Sequence, residues 1–188
     1  MAEPPNSPPS PSAAPARLAP ERLLPPYTYV PGRAPHPITD PAGHSHGCDE
    51  VEVSFSADQW ELCEEYRFGF DLFDNGFYWE SHEAWEAVWH AVGRRGWVAD
   101  HLKALIKLAA AMVKHKEGRP EGVARHARRA IELFSNNQEN HGDQICGTSM
   151  PLCIELAQYI RDEIAQMQSA TNDAVALLRA FPVSRSRS

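Results

Sequence analysis

The chain has 188 residues, and 13 of its 16 prolines fall within the first 50 positions. About 138 residues are left for a continuous packed core, which is one domain and not two. The net charge of −7, from 18 Lys and Arg against 25 Asp and Glu, gives no chain-wide attraction to nucleic acid or anionic lipid, so neither is an expected partner. With 43% hydrophobic and 23% charged residues, the composition excludes a wholly disordered or fibrous chain.

The first residues, Met1-Ala2-Glu3-Pro4-Pro5, offer neither a basic region nor an apolar core. A secretory signal is therefore not expected, and the expected compartment is the cytoplasm. Residues 1–20 hold Pro, Ser and Ala with almost nothing large and apolar, so ordering them would cost backbone entropy without returning buried area. They are expected to form a disordered tail. Over 21–54, Leu23, Leu24, Tyr27, Tyr29, Val30 and Ile38 punctuate the prolines, a pattern that suits an extended arm lying along a groove.

Helical spacing then takes over. Trp60, Cys63, Tyr66, Phe70 and Phe73 predict a first helix over 57–74 with a stop at Asn75-Gly76. Ala84, Trp85, Val88, Trp89 and Val92 share one face of a second, over 77–92, ending at Gly93. A third, over about 98–117, carries Leu102, Leu105, Ile106, Ala109, Met112 and Val113 inward and stops at Gly118. Pro120 suits the first turn of a fourth, to about residue 136. Ser149 caps a fifth, with Pro151 behind it and Leu152, Leu156, Ile160, Ile164 and Met167 repeating at steps of three or four. A short last helix is expected over 174–181.

No segment alternates with period two for long enough to predict a strand. The longest apolar run, Leu108 to Val113, is bracketed by Lys107 and Lys114 and falls far short of the roughly 20 residues a bilayer span needs. Short connections force antiparallel neighbours. The expected fold is thus all-α, an up-and-down bundle of four to five helices over 55–181, with the Pro-rich arm before it and a second disordered tail over 182–188. Twelve of the 17 aromatic residues lie between Phe55 and Trp97, which places the heaviest part of the core at the first helix pair.

Chemistry gathers on the second helix. At about 100° per residue, His82, Glu83 and Glu86 fall within one quadrant, on the flank of its aromatic stripe. His82 and Glu86, four apart, can offer one nitrogen and one oxygen to a divalent ion, with Glu83 as a further ligand, base or orienting acceptor. Carboxylates on a helix flank are also commonly just solvated. The His-Glu-x-x-His zinc signature fails at Glu86, and the di-iron Glu-x-x-His signature is absent from this helix. His115 shares the Leu108–Met112 stripe, which a hairpin turns toward the second helix, and is a fourth candidate ligand.

Weaker features surround this group. His36, His44 and His46 in the arm can approach the same surface if the arm docks. Arg119, Arg125, Arg128, Arg129 and His126 make the fourth helix locally basic, suited to a phosphate, an acidic partner or solvent. The four cysteines form no Cys-x-x-Cys pair and read as reduced thiols, with Cys63 and Cys153 as core filler. Phosphate loops, nucleophile elbows and dinucleotide fingerprints are all missing.

The segment from Gly76 to Trp89, then Leu102 to Ala111 and His115-Lys116-Glu117-Gly118, resembles the bacterial small helical proteins of domain of unknown function family 309. The likeness spans roughly residues 68–134. Its most specific part is Glu-x-His-Glu-x-x-Glu-x-x-Trp, held by Glu80, His82, Glu83, Glu86 and Trp89. Lys103 and Lys107 stand where the family pattern commonly has Gln, and Ala104 where it has Gly. The resemblance implies a helical bundle with a polar cluster at His82, Glu83 and Glu86, and no reaction. Two functional readings follow: a His/Glu site for a divalent metal formed by His82, Glu83, Glu86 and His115, or a non-catalytic module for a protein partner or a second copy of the chain. An ammonium group of Lys103 or Lys107 paired to Glu86 is a third arrangement that the pattern allows.

Overall fold

The computed structural model describes residues 16–48, 52–167 and 183. The tail over 1–15, the helix expected over 174–181 and the tail over 182–188, apart from Val183, lie outside the described residues. Five α-helices follow one another: α1 (Glu64–Asp74), α2 (Tyr78–Ala91), α3 (Trp97–Lys116), α4 (Pro120–His141) and α5 (Met150–Asp162). Each packs on the next, and α3 is the central one, burying 11 of its 20 residues. No described helix is long and apolar enough to cross a membrane.

The first pair meets backbone to side chain. A Cβ on Gly69 would lie 2.3 Å from the Trp85 Nε1, so only glycine lets that indole rest on α1. The Trp85 N–H donates to the Tyr66 carbonyl at 3.2 Å, and the Ser81 hydroxyl donates to the Gly69 carbonyl at 2.9 Å. Both buried donors are thereby satisfied while the indole packs on Phe70 and Phe73.

Four sequence expectations about the helices change. The predicted first helix is broken: 57–62 is a 3₁₀ segment with non-helical backbone at Gln59, and Cys63 is extended. In one continuous helix Trp60 and Tyr66 would sit about 120° apart around the axis. The break instead brings their rings to 6.1 Å and buries both. Helix α4 runs on to His141. The fifth helix stops at Asp162 and turns Cys153, Ala157 and Ile160 inward, leaving Leu152 50% exposed; Ile164 is buried from a following 3₁₀ turn. Ser149 precedes α5, but its side chain makes no capping bond.

A small antiparallel hairpin, which periodicity did not predict, joins α4 to α5 through β1 (Gln144–Ile145) and β2 (Thr148–Ser149). Its turn places Cys146 and Gly147 both at positive φ, 46° and 77°, as two-residue hairpin turns of the mirror-image type require. The Trp60 ring fills the space where a Cβ of residue 147 would stand.

Composition assigned 16–20 to a tail, yet Ala19 is fully buried. The Leu18 and Ala19 amides donate to the two Asp71 carboxylate oxygens at 2.7 and 2.8 Å, and Arg17 Nε lies 3.3 Å from the same group. Arg67 donates to the Leu18 carbonyl, and the Arg22 guanidinium sits 4.2 Å from the Phe68 ring centre. A buried acceptor on α1 thus anchors a segment that has little apolar area of its own. The arm continues across α2, where Tyr29 and His36 pack edge-on against Trp79 at 5.3 and 5.2 Å.

Candidate functional site

Helix α2 sorts the carboxylates of Glu80, Glu83 and Glu86 by direction. Glu80, three residues before Glu83, points inward and is only 6% exposed. It accepts the Tyr29 amide at 2.8 Å and the Thr28 hydroxyl at 3.3 Å, with His44 Nε2 also at 3.3 Å. Its role is to hold the arm. Glu83 and Glu86 turn outward beside His82, and the three are half-exposed.

His82 Nδ1 lies 3.2 Å from Glu83 Oε1 and 3.8 Å from Glu86 Oε2. One donor atom from each of the three falls within 4.8 Å of the others, and among the described residues no other set of three or more His, Cys, Asp or Glu side chains does so. Metal–ligand bonds of 2.0–2.2 Å set at the tetrahedral angle put ligand atoms about 3.3–3.6 Å apart. The two separations from His82, 3.2 and 3.8 Å, bracket that range. Neither Lys103 nor Lys107 forms an ion pair with these carboxylates among the described residues, so their donor atoms are not taken up by an ammonium group.

His115 does not join the cluster. The α2–α3 link centres near residue 94, which sets His82 opposite about position 107, and His115 lies some eight residues or about 12 Å farther along α3. It is buried at the other end of the helix against the Ile164 backbone, where burial, then the Lys116 charge, lowers its pKa. The arm histidines also stay apart: His36 lies on Trp79, His44 bonds Glu80, and His46 Nδ1 sits 2.9 Å from the Ile38 carbonyl. All four cysteines are free, with Cys48 exposed and the others buried.

One residue that the sequence placed only in the basic run of the fourth helix comes close to this cluster. His126 on α4 is half-buried, and its pKa is pushed down to about 4, first by burial and then by Lys107, Arg125, Lys114 and His82. Locally basic spacing marked its helix, but only the packing of α4 on α3 sets this ring beside Lys107.

Residues 66–126 match the model of the family described as Domain of unknown function (DUF309). The match takes in most of α1, all of α2 and α3 and the start of α4, and so includes His82, Glu83, Glu86 and His126. No curated protein and no solved structure matches the chain.

Proposed function

We propose that the DUF309 segment of this chain binds a divalent cation through His82 Nδ1, a Glu83 oxygen and a Glu86 oxygen. The observation that carries this reading is the convergence of one donor atom from each of these three residues within 4.8 Å on one half-exposed flank of α2. One imidazole nitrogen with two carboxylate oxygens suits first-row ions such as Zn²⁺, Mn²⁺ or Co²⁺ better than an all-oxygen ion such as Ca²⁺. The half-exposed setting leaves further coordination positions to water, so the bound ion stays open to a second ligand. No reaction is assigned to it.

The other reading, a module for a protein partner, draws on the aromatic-rich helix pair. Trp79 is part of that surface, and the chain's own Tyr29 and His36 pack against it. The covered ring favours the cation reading over the module.

Titration with Zn²⁺ or Mn²⁺, followed by calorimetry on protein purified without a metal-affinity tag, tests the assignment. One site per chain is expected, lost in His82→Ala and reversed by a chelator. Heat of equal size in His82→Ala would reject it.

A further inference from the structure

The outward row of α3 is Lys103, Lys107, Ala110 and Lys114, spaced by four, three and four residues. Each is half-buried, while Ala104, Leu105, Ile106, Leu108, Ala109, Ala111 and Met112 between them are buried. α2 and α4 both pack on α3, and Lys107 lies within the electrostatic reach of Glu86 on α2 and of Arg125 and Arg129 on α4, so this half-buried row runs between the two helices, as the floor of the trough they would flank. Its α2 wall carries His82, Glu83 and Glu86. Its α4 wall begins at Gly122, where an added Cβ would lie 2.9 Å from Lys114 Cγ, and continues over the next two turns with the half-buried His126 and the exposed Arg125 and Arg129.

The charges here are unevenly neutralised. Lys114 pairs with Glu117 at 2.8 Å and Arg129 with Glu132 at 2.8 Å. Lys103, Lys107 and Arg125 form no ion pair among the described residues. Lys107 has its pKa lowered by burial first and next by Lys103, with Arg129 and Arg125 adding to it against the opposing pull of Glu86. Unpaired cations crowded at a half-buried floor, beside an imidazole held neutral, are a field awaiting an anion.

We propose that this trough binds a small molecule through a phosphoryl group, held by Lys107 from the floor and by Arg125 and the His126 ring from the α4 wall. Three donors carried on two helices suit the three terminal oxygens of a phosphoryl group better than the two oxygens of a planar carboxylate. Ala110 leaves the floor open between Lys107 and Lys114. A nucleic acid backbone fits poorly, since Glu83 and Glu86 line the opposite wall and the whole chain carries −7. This site goes beyond the cation reading and does not require the ion.

The test is a titration of the full chain with inorganic phosphate in the presence of a chelator, read by imidazole resonances in NMR. The expected result is a saturable shift of the His126 ring in the low-millimolar range, with its titration midpoint moving upward as the dianion favours the protonated ring. Lys107→Gln should weaken the effect by about tenfold, the loss of one charge-assisted contact. His82→Ala removes the cation site and one neighbour of the His126 ring but none of the three phosphoryl donors, so a saturable shift with phosphate should persist in it, and failure of the cation site and failure of this one are told apart. A His126 shift that does not saturate, or that is equal in Lys107→Gln, overturns the proposal, as does a duplex oligonucleotide that binds this face when phosphate does not.

Discussion

The Tyr66 hydroxyl stands 3.0 Å from His101 Nε2 and 2.9 Å from the Cys146 carbonyl, and the pair of distances fixes the His101 tautomer. A carbonyl oxygen only accepts, so the single phenolic proton goes to Cys146, and the ring must donate its Nε2–H to the phenolic oxygen. His101 Nδ1 is then a bare lone pair, buried and without a partner among the described residues.

Burial pushes the His101 pKa down to about 3. Below pH 6.5 the unfolded chain protonates this ring while the folded chain does not, so the unfolded state binds more protons and stability falls as the pH drops from 6.5 toward 3. One such ring gives a slope of up to about 1.4 kcal/mol per pH unit. His101→Phe keeps the Tyr66–Cys146 bond and should flatten the acid limb of a plot of denaturation free energy against pH. An unchanged limb would show that His101 charges in the folded protein.

The contact of Trp85 with Gly69 should tolerate change on neither side. Trp85→Ala empties a fully buried site and is expected to cost about 3–5 kcal/mol. Gly69→Ala forces a methyl group into the indole and should cost about 1–3 kcal/mol or more. Chemical denaturation of both variants measures this. A neutral Gly69→Ala would mean that the two helices do not approach so closely.

Two carboxylates hold the arm, and each should release its own part. In amide hydrogen exchange, Leu18 and Ala19 should be protected in the wild type and lose protection in Asp71→Ala, while Tyr29 keeps its own. Glu80→Ala should give the converse pattern. Simultaneous loss at both places in either variant would show that the arm undocks as one unit.

Glu86→Gln separates the cation site from the lysine pairing that the sequence also allowed. With Glu86 39% exposed and no ammonium group in ion-pair contact, the variant should change stability by no more than about 0.5 kcal/mol. Its Zn²⁺ or Mn²⁺ affinity should fall by about tenfold or more, as one charged ligand becomes neutral. Clear destabilisation with metal binding unaltered would instead point to a Lys103 or Lys107 pair.

Convergence of His82, Glu83 and Glu86 was legible because it depends only on the pitch of one helix. The inward faces of α2 and α3 were legible for the same reason, since Trp85, Val88, Leu102 and Leu105 recur at the helical period and are all buried. Features created by distant segments were not. Glu80 and Asp71 look in sequence like any solvated helix carboxylate, and only the returning arm makes them internal acceptors. The break at Cys63 answers to Trp60 packing against Gly147, some eighty residues away. Two-residue strands are too short to show a period, although Cys146-Gly147 carries a weak turn signal. His115 was misplaced because the stripe fixes its direction around α3 but not its height along the hairpin.

The arm's bonds to Asp71 and Glu80 join positions 51 to 53 residues apart, whereas α1 and α2 meet across the turn at residues 75–77. Closing the longer loop costs more chain entropy, and its acceptors lie on helices that must already stand side by side. Arm docking therefore belongs late in folding, after the rate-limiting barrier. Substitutions that weaken it should leave the folding rate nearly unchanged and appear almost wholly as faster unfolding, so the arm sets how long the native state lasts more than how quickly it is reached.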